Sequence, residues 1–380
     1  MVPSPLAHCD TSSPISLRSR RPDAQSIHER LPFTDSERTT FRRRGVGPAG
    51  REWRRLMRFG VTVGNMNGFN DETGPNACID VAQAAEDLGF DSVWTNDHIV
   101  VPTQIESRYP YNDLGEFPAP ATIQCFDPLV VMCAVAEATQ SVEIGCSVLV
   151  IPYRHPAVVA KMLAAADQVS GGRIVLGAGV GWMREEFEAL GLPEIHYRRR
   201  GAVTNEYLRA MREMWTNPGP CSFQGDFVEF HNVGAYPKPV QREDGGTIPI
   251  VIGGNGINAW RRASRYGDGF HAAFQTVEDM EIEVDGVRQA CERDRRDPDE
   301  LEIQLLQNMR PSETALDEDE RPLLHGSPDQ IASDLLAFGR VGVQHLIATP
   351  MMVSPAGDTT VERVLNSMQF VSDEILPAFA

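Results

Sequence analysis

The sequence predicts an α/β fold, a (β/α)8 TIM barrel with insertions after its second and fourth strands, and three observations carry that expectation. From Met57 onward, short β-branched runs alternate with amphipathic helical stretches, the pattern of βαβ units around a parallel sheet. Eight strand–helix pairs can be counted, which is the number the barrel requires. Residues 57–380, 324 in all, suit a barrel with insertions, whereas an open doubly wound sheet more often stops at about five or six strands.

The expected strands are Arg58–Gly64, Ser92–Thr95, Val142–Leu149, Ile174–Gly177, Ile248–Ile252, Gly269–His271, Glu302–Gln307 and Gln344–Ala348. Helices are expected at Asn76–Leu88, Asp127–Ala138, Pro156–Ser170, Arg199–Thr216, Asn258–Tyr266, Val277–Arg293, Pro328–Phe338 and Thr360–Ile375. Ile99–Phe126 is an insertion after the second strand, and Asn217–Thr247 another between the fourth helix and the fifth strand. The second contains CSFQGDFVEF, which alternates like a small hairpin. Both insertions are expected to lie over the rim of the barrel.

Residues 1–56 have a different character, Arg-, Ser- and Pro-rich with neither helical nor strand period, and are expected to be a disordered basic extension. The pair Arg20-Arg21 is not followed by a continuous apolar stretch, so no cleavable export signal is expected. The abrupt change at Met57 suggests that this methionine is the working start. Eleven arginines against six acids give the extension a charge of +5, so the overall −18 leaves −23 on residues 57–380. A body that acidic is a poor nucleic-acid binder, because neutralising phosphates is the first requirement of that work. No run of about 18 apolar residues occurs, so no membrane span is expected.

Seven cysteines, Cys9, Cys78, Cys125, Cys133, Cys146, Cys221 and Cys291, form an odd set with no CxxC pair. They read as buried small hydrophobes in a reducing cytoplasm rather than as disulfides or a thiolate metal site.

In a barrel of this kind the loops at the C-terminal ends of the strands carry the chemistry. Here they are Asn65–Asn67, Asn96-Asp97-His98, Cys146–His155, Gly177–Trp182, Gly253–Gly256 and Ala272–Gln275. Gly253-Gly254-Asn255-Gly256 leads from a strand into a helix, and its bare N–H groups either make a tight turn or form a phosphate nest. Gly177, Gly179 and Gly181 repeat the pattern after the fourth strand, where backbone can approach a flat ligand. His98 beside Asp97 is a candidate acid/base group, and the other reading is a satisfied structural histidine. His155 and His271 are further rim candidates. No HxH or HxxxH spacing appears, so no metal is expected.

Two absences narrow the chemistry. The only lysines, Lys161 and Lys238, fall in a helix and a Pro-flanked loop, so neither suits a Schiff-base aldolase. Nor is there a GxSxG elbow. Glycine-lined loops with sparse acid/base groups imply that a bound cofactor performs the reaction.

SVEIGCSVLVIPYRHP, DQVSGGRIVLGAGVGWMREEF, VWTNDH and the IPIVIGG and YGDGF pair together resemble the bacterial-luciferase-like superfamily, and within it the actinobacterial branch of deazaflavin-dependent oxidoreductases. The resemblance covers roughly residues 57–350. It implies a barrel that binds coenzyme F420, an 8-hydroxy-5-deazaflavin, or alternatively FMN, in its C-terminal mouth. It further implies that a bulge with a non-prolyl cis peptide, falling at Cys146-Ser147-Val148, backs the cofactor ring. The phosphate nest would be Gly253, Gly254, Asn255 and Gly256, with Gly177 and Gly179 beside the ring. By the same resemblance His98 would be the donor or acid/base group and Asp97 its orienter. Sugar-phosphate dehydrogenase relatives carry a glutamate after the fourth strand as proton donor, whereas Val180 stands here. Trp182 and Tyr109 would wall a substrate pocket, and Arg154 would pair with an anionic substrate or cofactor tail. Ile99–Phe126, with Tyr109, Tyr111, Phe117 and four prolines, reads as a lid that excludes water or as a passive surface loop.

Three functions follow from this reading. One is hydride transfer between F420 and a small organic substrate, another an FMN-dependent monooxygenase supplied with reduced flavin by a separate reductase, and the third a flavin-binding protein without turnover. The resemblance also implies a homodimer.

Overall fold

The computed structural model describes residues 57–66, 76–241, 247–350 and 360–379, so the basic extension 1–56 and Asn67 lie outside the described residues. Its centre is a closed barrel of eight parallel strands. In chain order these are β1 (Arg58–Thr62), β2 (Ser92–Thr95), β3 (Glu143–Cys146), β5 (Ile174–Gly179), β8 (Ile250–Gly253), β9 (Gly269–Ala273), β10 (Glu302–Pro311) and β12 (His345–Pro350), with a two-residue β11 (His325–Gly326) paired to the end of β10. Each pairs with the next, and β12 returns to β1 with Gly60 opposite Ile347, which closes the ring. A two-residue strand β4 (Leu149–Val150) resumes pairing with β5 after a break at Ser147-Val148, whose peptide is cis. The single strand expected over Val142–Leu149 is therefore two, because the bulge interrupts its ladder.

Helices α1 (Asn76–Asp87), α2 (Pro128–Ala138), α3 (Pro156–Ser170), α4 (Arg184–Ala189), α5 (Glu194–Arg198), α6 (Arg200–Thr216), α7 (Ile257–Tyr266), α8 (Val277–Asp294), α9 (Pro328–Val341) and α10 (Val361–Glu374) surround it. Their limits follow local chemistry. Asp127 caps α2 by accepting from Leu129 N and Val130 N ahead of Pro128, and α3 stops at Gly171, whose φ of 67° suits glycine. Ser327 and Gln330 form a reciprocal capping box on α9. On α1 the buried residues Ala77, Cys78, Val81, Ala82 and Ala85 recur at helical spacing and make the face that packs on the sheet. Of the expected helices none is missing; α4 and α5 are additional, too short to show a period.

The second insertion is a hairpin, β6 (Cys221–Gln224) with β7 (Glu229–Val233), as its alternation predicts, but it does not cover the rim. Its turn is held on the outer flank of α6, where Glu206 accepts from the N–H groups of Asp226, Phe227 and Val228. The following segment passes under the opposite end of the barrel, with Gln241 Nε2 donating to Ile174 O at the start of β5. The reason is connectivity, since a segment joining a helix to a strand begins and ends at the strands' N-terminal side.

Inside the barrel, polar and apolar layers alternate. At the floor Arg58 reaches Glu302 (2.9 Å) and Glu143, while Ser92 Oγ meets both His345 Nε2 and Trp94 Nε1 at 2.8 Å. Above lies an apolar layer of Trp94, Val175, Val251, Ala273, Leu306 and Ile347. A burial of this kind contributes about 1.5–3 kcal/mol per large side chain.

Candidate active site

The mouth is organised around His98, which follows β2. Its Nδ1 lies 2.8 Å from Oε2 of Glu186, a fully buried carboxylate in the first turn of α4. The same carboxylate accepts from Tyr153 Oη (2.9 Å) and from the N–H groups of Ile99 (2.7 Å) and Val100 (3.2 Å). Four donors on one buried carboxylate stabilise its charge, so the proton shared with His98 rests on Nδ1. Burial and the neighbouring Glu186 charge push the Tyr153 hydroxyl well above the usual tyrosine range, so it stays a donor. Among the described residues His98 Nε2 has no partner, and it is the edge left for chemistry.

Asp97 is not the orienter of His98. Its carboxylate takes Arg154 in a two-point pair, Nη1 to Oδ2 at 2.8 Å and Nη2 to Oδ1 at 2.9 Å, and also accepts from Val150 N. Arg154 Nη2 reaches Asp127 as well, at 2.8 Å. The guanidinium expected to meet an anionic ligand is thus committed to two carboxylates, and the cluster ties the end of β2 to the cap of α2. A fork of donors matches a carboxylate closely, so this pairing outcompetes a single contact to a neighbouring imidazole.

The bulge is equally well held. Ser147 N donates to Thr95 O (2.7 Å), and Asn96 Nδ2 donates to Ser147 O (2.9 Å). A column of side chains supports its hydroxyl. Gln304 Nε2 donates to Glu302 (2.8 Å), which turns the amide oxygen of Gln304 toward His271 Nδ1 (2.9 Å). An amide oxygen only accepts, so Nδ1 carries the proton and Nε2 takes the hydrogen of Ser147 Oγ at 2.7 Å. Burial lowers the His271 pKa to about 4, which keeps the ring neutral as this chain of donors demands. His271 therefore sits beneath the mouth rather than on its rim, and His155 caps α3 by accepting from Ala157 N.

The glycines have a different task from the one expected. A Cβ on Gly179 or Gly253 would come within 2.4 or 2.5 Å of the Val148 side chain, and one on Gly177 within 1.9 Å of Cys146 O. These positions make room for the bulge and its valine, not directly for a ligand. In the supposed phosphate nest, Gly254 N donates to His271 O (3.3 Å) and Gly256 N to both oxygens of Glu283 (3.1 and 3.0 Å). A carboxylate of this chain thus stands at the start of α7, and Asn255 is exposed beside it.

The first insertion does cover the mouth. Tyr109 packs against Trp182 (5.2 Å between ring centres) and Phe117 (5.6 Å), and Phe117 lies 5.1 Å from His98. Tyr111 crosses to Phe274, 5.7 Å away, above the apolar layer. The insertion is clipped to α4, where Glu185 Oε1 accepts from Glu106 N and Ser107 N and Ser107 Oγ accepts from Arg184 N. Asn65 holds its far end through Phe126 O (2.9 Å). Among the described residues no three His, Cys, Asp or Glu side chains gather as a metal site.

Glu186 was not singled out from the sequence. The available signal was an acidic pair, Glu185-Glu186, directly after a strand-end glycine run, where a carboxylate can fold back on the mouth.

Residues 57–309 match the sequence profile of the luciferase-like monooxygenase family. Among relatives, an F420-dependent glucose-6-phosphate dehydrogenase of Amycolatopsis mediterranei is 32% identical over 201 residues, 53% of this chain and 54% of that protein. An FMNH(2)-dependent dimethylsulfone monooxygenase of Pseudomonas putida is 35% identical over 155 residues, 41% of each. The matched stretch spans about half of each of these relatives. A solved F420-dependent secondary alcohol dehydrogenase, in complex with an F420–acetone adduct, superposes with a TM-score of 0.67 at 19% identity, over 85% of this chain and 99% of the other. With residues 57–309 matched, the chain belongs to the luciferase-like monooxygenase family.

Proposed function

We propose that the protein is an oxidoreductase that moves hydride between the deazaflavin coenzyme F420 and a small organic substrate, with His98 as acid/base group. The observation that carries this reading is the His98–Glu186 contact of 2.8 Å at the covered mouth of a barrel whose relatives include F420-dependent dehydrogenases. The ring end of the coenzyme fits the residues present. Among the described residues Asn96 Oδ1 is buried beside the bulge without a partner, an acceptor left for a ring N–H, and Ser147-Val148 form a rigid backing. The nest differs from expectation at Gly254 and Gly256, whose N–H groups are taken.

When bound, the coenzyme supplies hydride chemistry at carbon five of its deazaflavin ring. The chain's own residues do the rest. Glu186 holds the proton on His98 Nδ1, which leaves Nε2 to take or return the proton of a substrate hydroxyl or carbonyl. Phe117, Trp182 and Tyr109 exclude water around that nitrogen, so the exchanged proton stays between His98 and the substrate.

A second reading is an FMN-dependent monooxygenase served by a separate reductase; the relative of that kind and the closed aromatic cover support it. Titration with oxidised F420 and with FMN, followed by protein fluorescence, separates the two. Saturable binding of F420 supports the first reading, binding of FMN alone supports the second, and binding of neither overturns both. We further propose a cytoplasmic homodimer. The buried free thiols Cys78, Cys146, Cys221 and Cys291 support a reducing compartment, and exposed Val130, Val158 and Val169 on α2 and α3 support self-association, which light scattering of the purified protein measures.

A further inference from the structure

We infer that the substrate is an uncharged molecule with an apolar ring and a hydroxyl or carbonyl oxygen, and not a phosphorylated sugar. This rests on the proposed acid/base role of His98 and concerns what can reach that side chain.

His98 Nε2 is approached past aromatic faces. Phe117 stands 5.1 Å and Trp182 6.4 Å from the imidazole, Phe117 and Trp182 are 5.6 Å apart, and Tyr109 closes the group at 5.2 Å from Trp182. A molecule that touches His98 from the mouth lies against these rings. Flat apolar groups gain from edge and face contacts with such walls, whereas a hydrated polyol loses water without recovering hydrogen bonds. The Tyr109 hydroxyl, its pKa pushed up to about 12 by burial, remains a donor, and no partner is assigned to it among the described residues.

A phosphate needs a cation, and among the described residues most side-chain cations near the rim are already committed to carboxylates. Arg154 is held by Asp97 and Asp127, Arg184 by Glu188 and Glu194, and Arg321 by Asp334 and Glu318. Arg108 donates to Asp113 O within the covering loop, and Arg310 lies beside His325 at the end of β10. Lys161 donates to Tyr236 O and Lys238 to Met214 O, on the outer flank away from the mouth. Segments 67–75 and 351–359, which follow β1 and β12 in the chain, contain no lysine or arginine. A buried dianion at His98 would instead meet the Glu186 carboxylate and be repelled by it.

The test is calorimetric titration of the full-length protein, with and without F420, using 1-indanone, cyclohexanol and glucose 6-phosphate as probes. The expected result is saturable binding of both ring compounds, no heat from glucose 6-phosphate, and at least tenfold weaker 1-indanone binding in Trp182→Ala and Phe117→Leu, each checked for folding by thermal unfolding. Glucose 6-phosphate binding more tightly than 1-indanone overturns the inference. So does the absence of ring-compound binding, or unchanged 1-indanone affinity in both folded variants. Because these titrations also run without coenzyme, failure to bind F420 counts against the proposed function alone.

Discussion

The two ends of the barrel interior use the same residue types to opposite effect. At the floor, Arg58, Glu143, Glu302, His345 and Ser92 sit at strand starts and pair with one another, with His345 Nδ1 3.6 Å from Glu302 and outside hydrogen-bond reach. At the mouth, Glu186 and Asp97 are as fully buried, His98 and Arg154 are partly so, and the His98 ring lies against an aromatic side chain from a separate loop. The floor's charges hold strands together, while the mouth's charges hold one imidazole in place beside an aromatic cover. What separates the two is that aromatic cover, not the number of charges.

Breaking the mouth gives the largest effect. His98→Ala is expected to lower kcat about 10²–10⁴-fold in steady-state assays with F420 while the melting temperature changes little. Glu186→Gln keeps the volume and loses the charge. It is expected to cost about tenfold in kcat and to speed hydrogen exchange at Ile99 and Val100, whose N–H groups it anchors. A faster exchange without a rate effect would show that Glu186 serves the covering loop only.

Breaking the floor is expected to act on stability instead. Glu302→Gln removes one of the buried acids that pair with Arg58, at a cost of about 3 kcal/mol in urea unfolding, with F420 affinity unchanged. If coenzyme affinity falls in step with stability, the two ends are not independent.

His271 joins the two regions, and its titration tests that junction. Its pKa is about 4 when folded against an ordinary 6.5 when unfolded, so the unfolded chain binds the extra proton between those values. Stability is therefore fully present above pH 6.5, declines as pH falls toward 4, and has lost about 3 kcal/mol from this group by then. Urea unfolding between pH 6.5 and 5 measures the slope, and His271→Gln is expected to flatten it. An unchanged slope in that variant would assign the pH dependence to another group.

The smallest effect is expected at the start of α7. Glu283→Gln removes the carboxylate from Gly256 N and is expected to tighten binding of phosphate-bearing FMN about two- to fivefold relative to riboflavin, read by fluorescence titration. Equal changes for both flavins would place their phosphate elsewhere.

Much of the barrel was legible because its signals are local. Ile250–Gly253 and Ile174–Gly179 are apolar throughout and bounded by turn residues, so their strands end close to the expected positions. Asp127-Pro128 and Ser327-Pro328 announce helix starts in two residues. The bulge at Ser147-Val148 was legible only through resemblance, since nothing in four residues of composition specifies that ladder's break. Glycines were legible as close approaches, but what approached them was not. Gly179 and Gly253 come from two strands and admit the valine of the bulge, while Gly177 admits the Cys146 carbonyl.

By itself, then, the sequence determined the succession of strands and helices, the acidic body and the placing of His98 at a strand end, because periodicity, capping and charge act over a few residues. Tertiary structure decided who pairs with whom. Glu186 lies 88 positions from His98 and Arg154 57 from Asp97, and each buried charge takes the partner that barrel closure brings within hydrogen-bond reach. Desolvation makes an unpaired buried charge too costly to keep, so those choices wait on closure and cannot be read from neighbours in the chain.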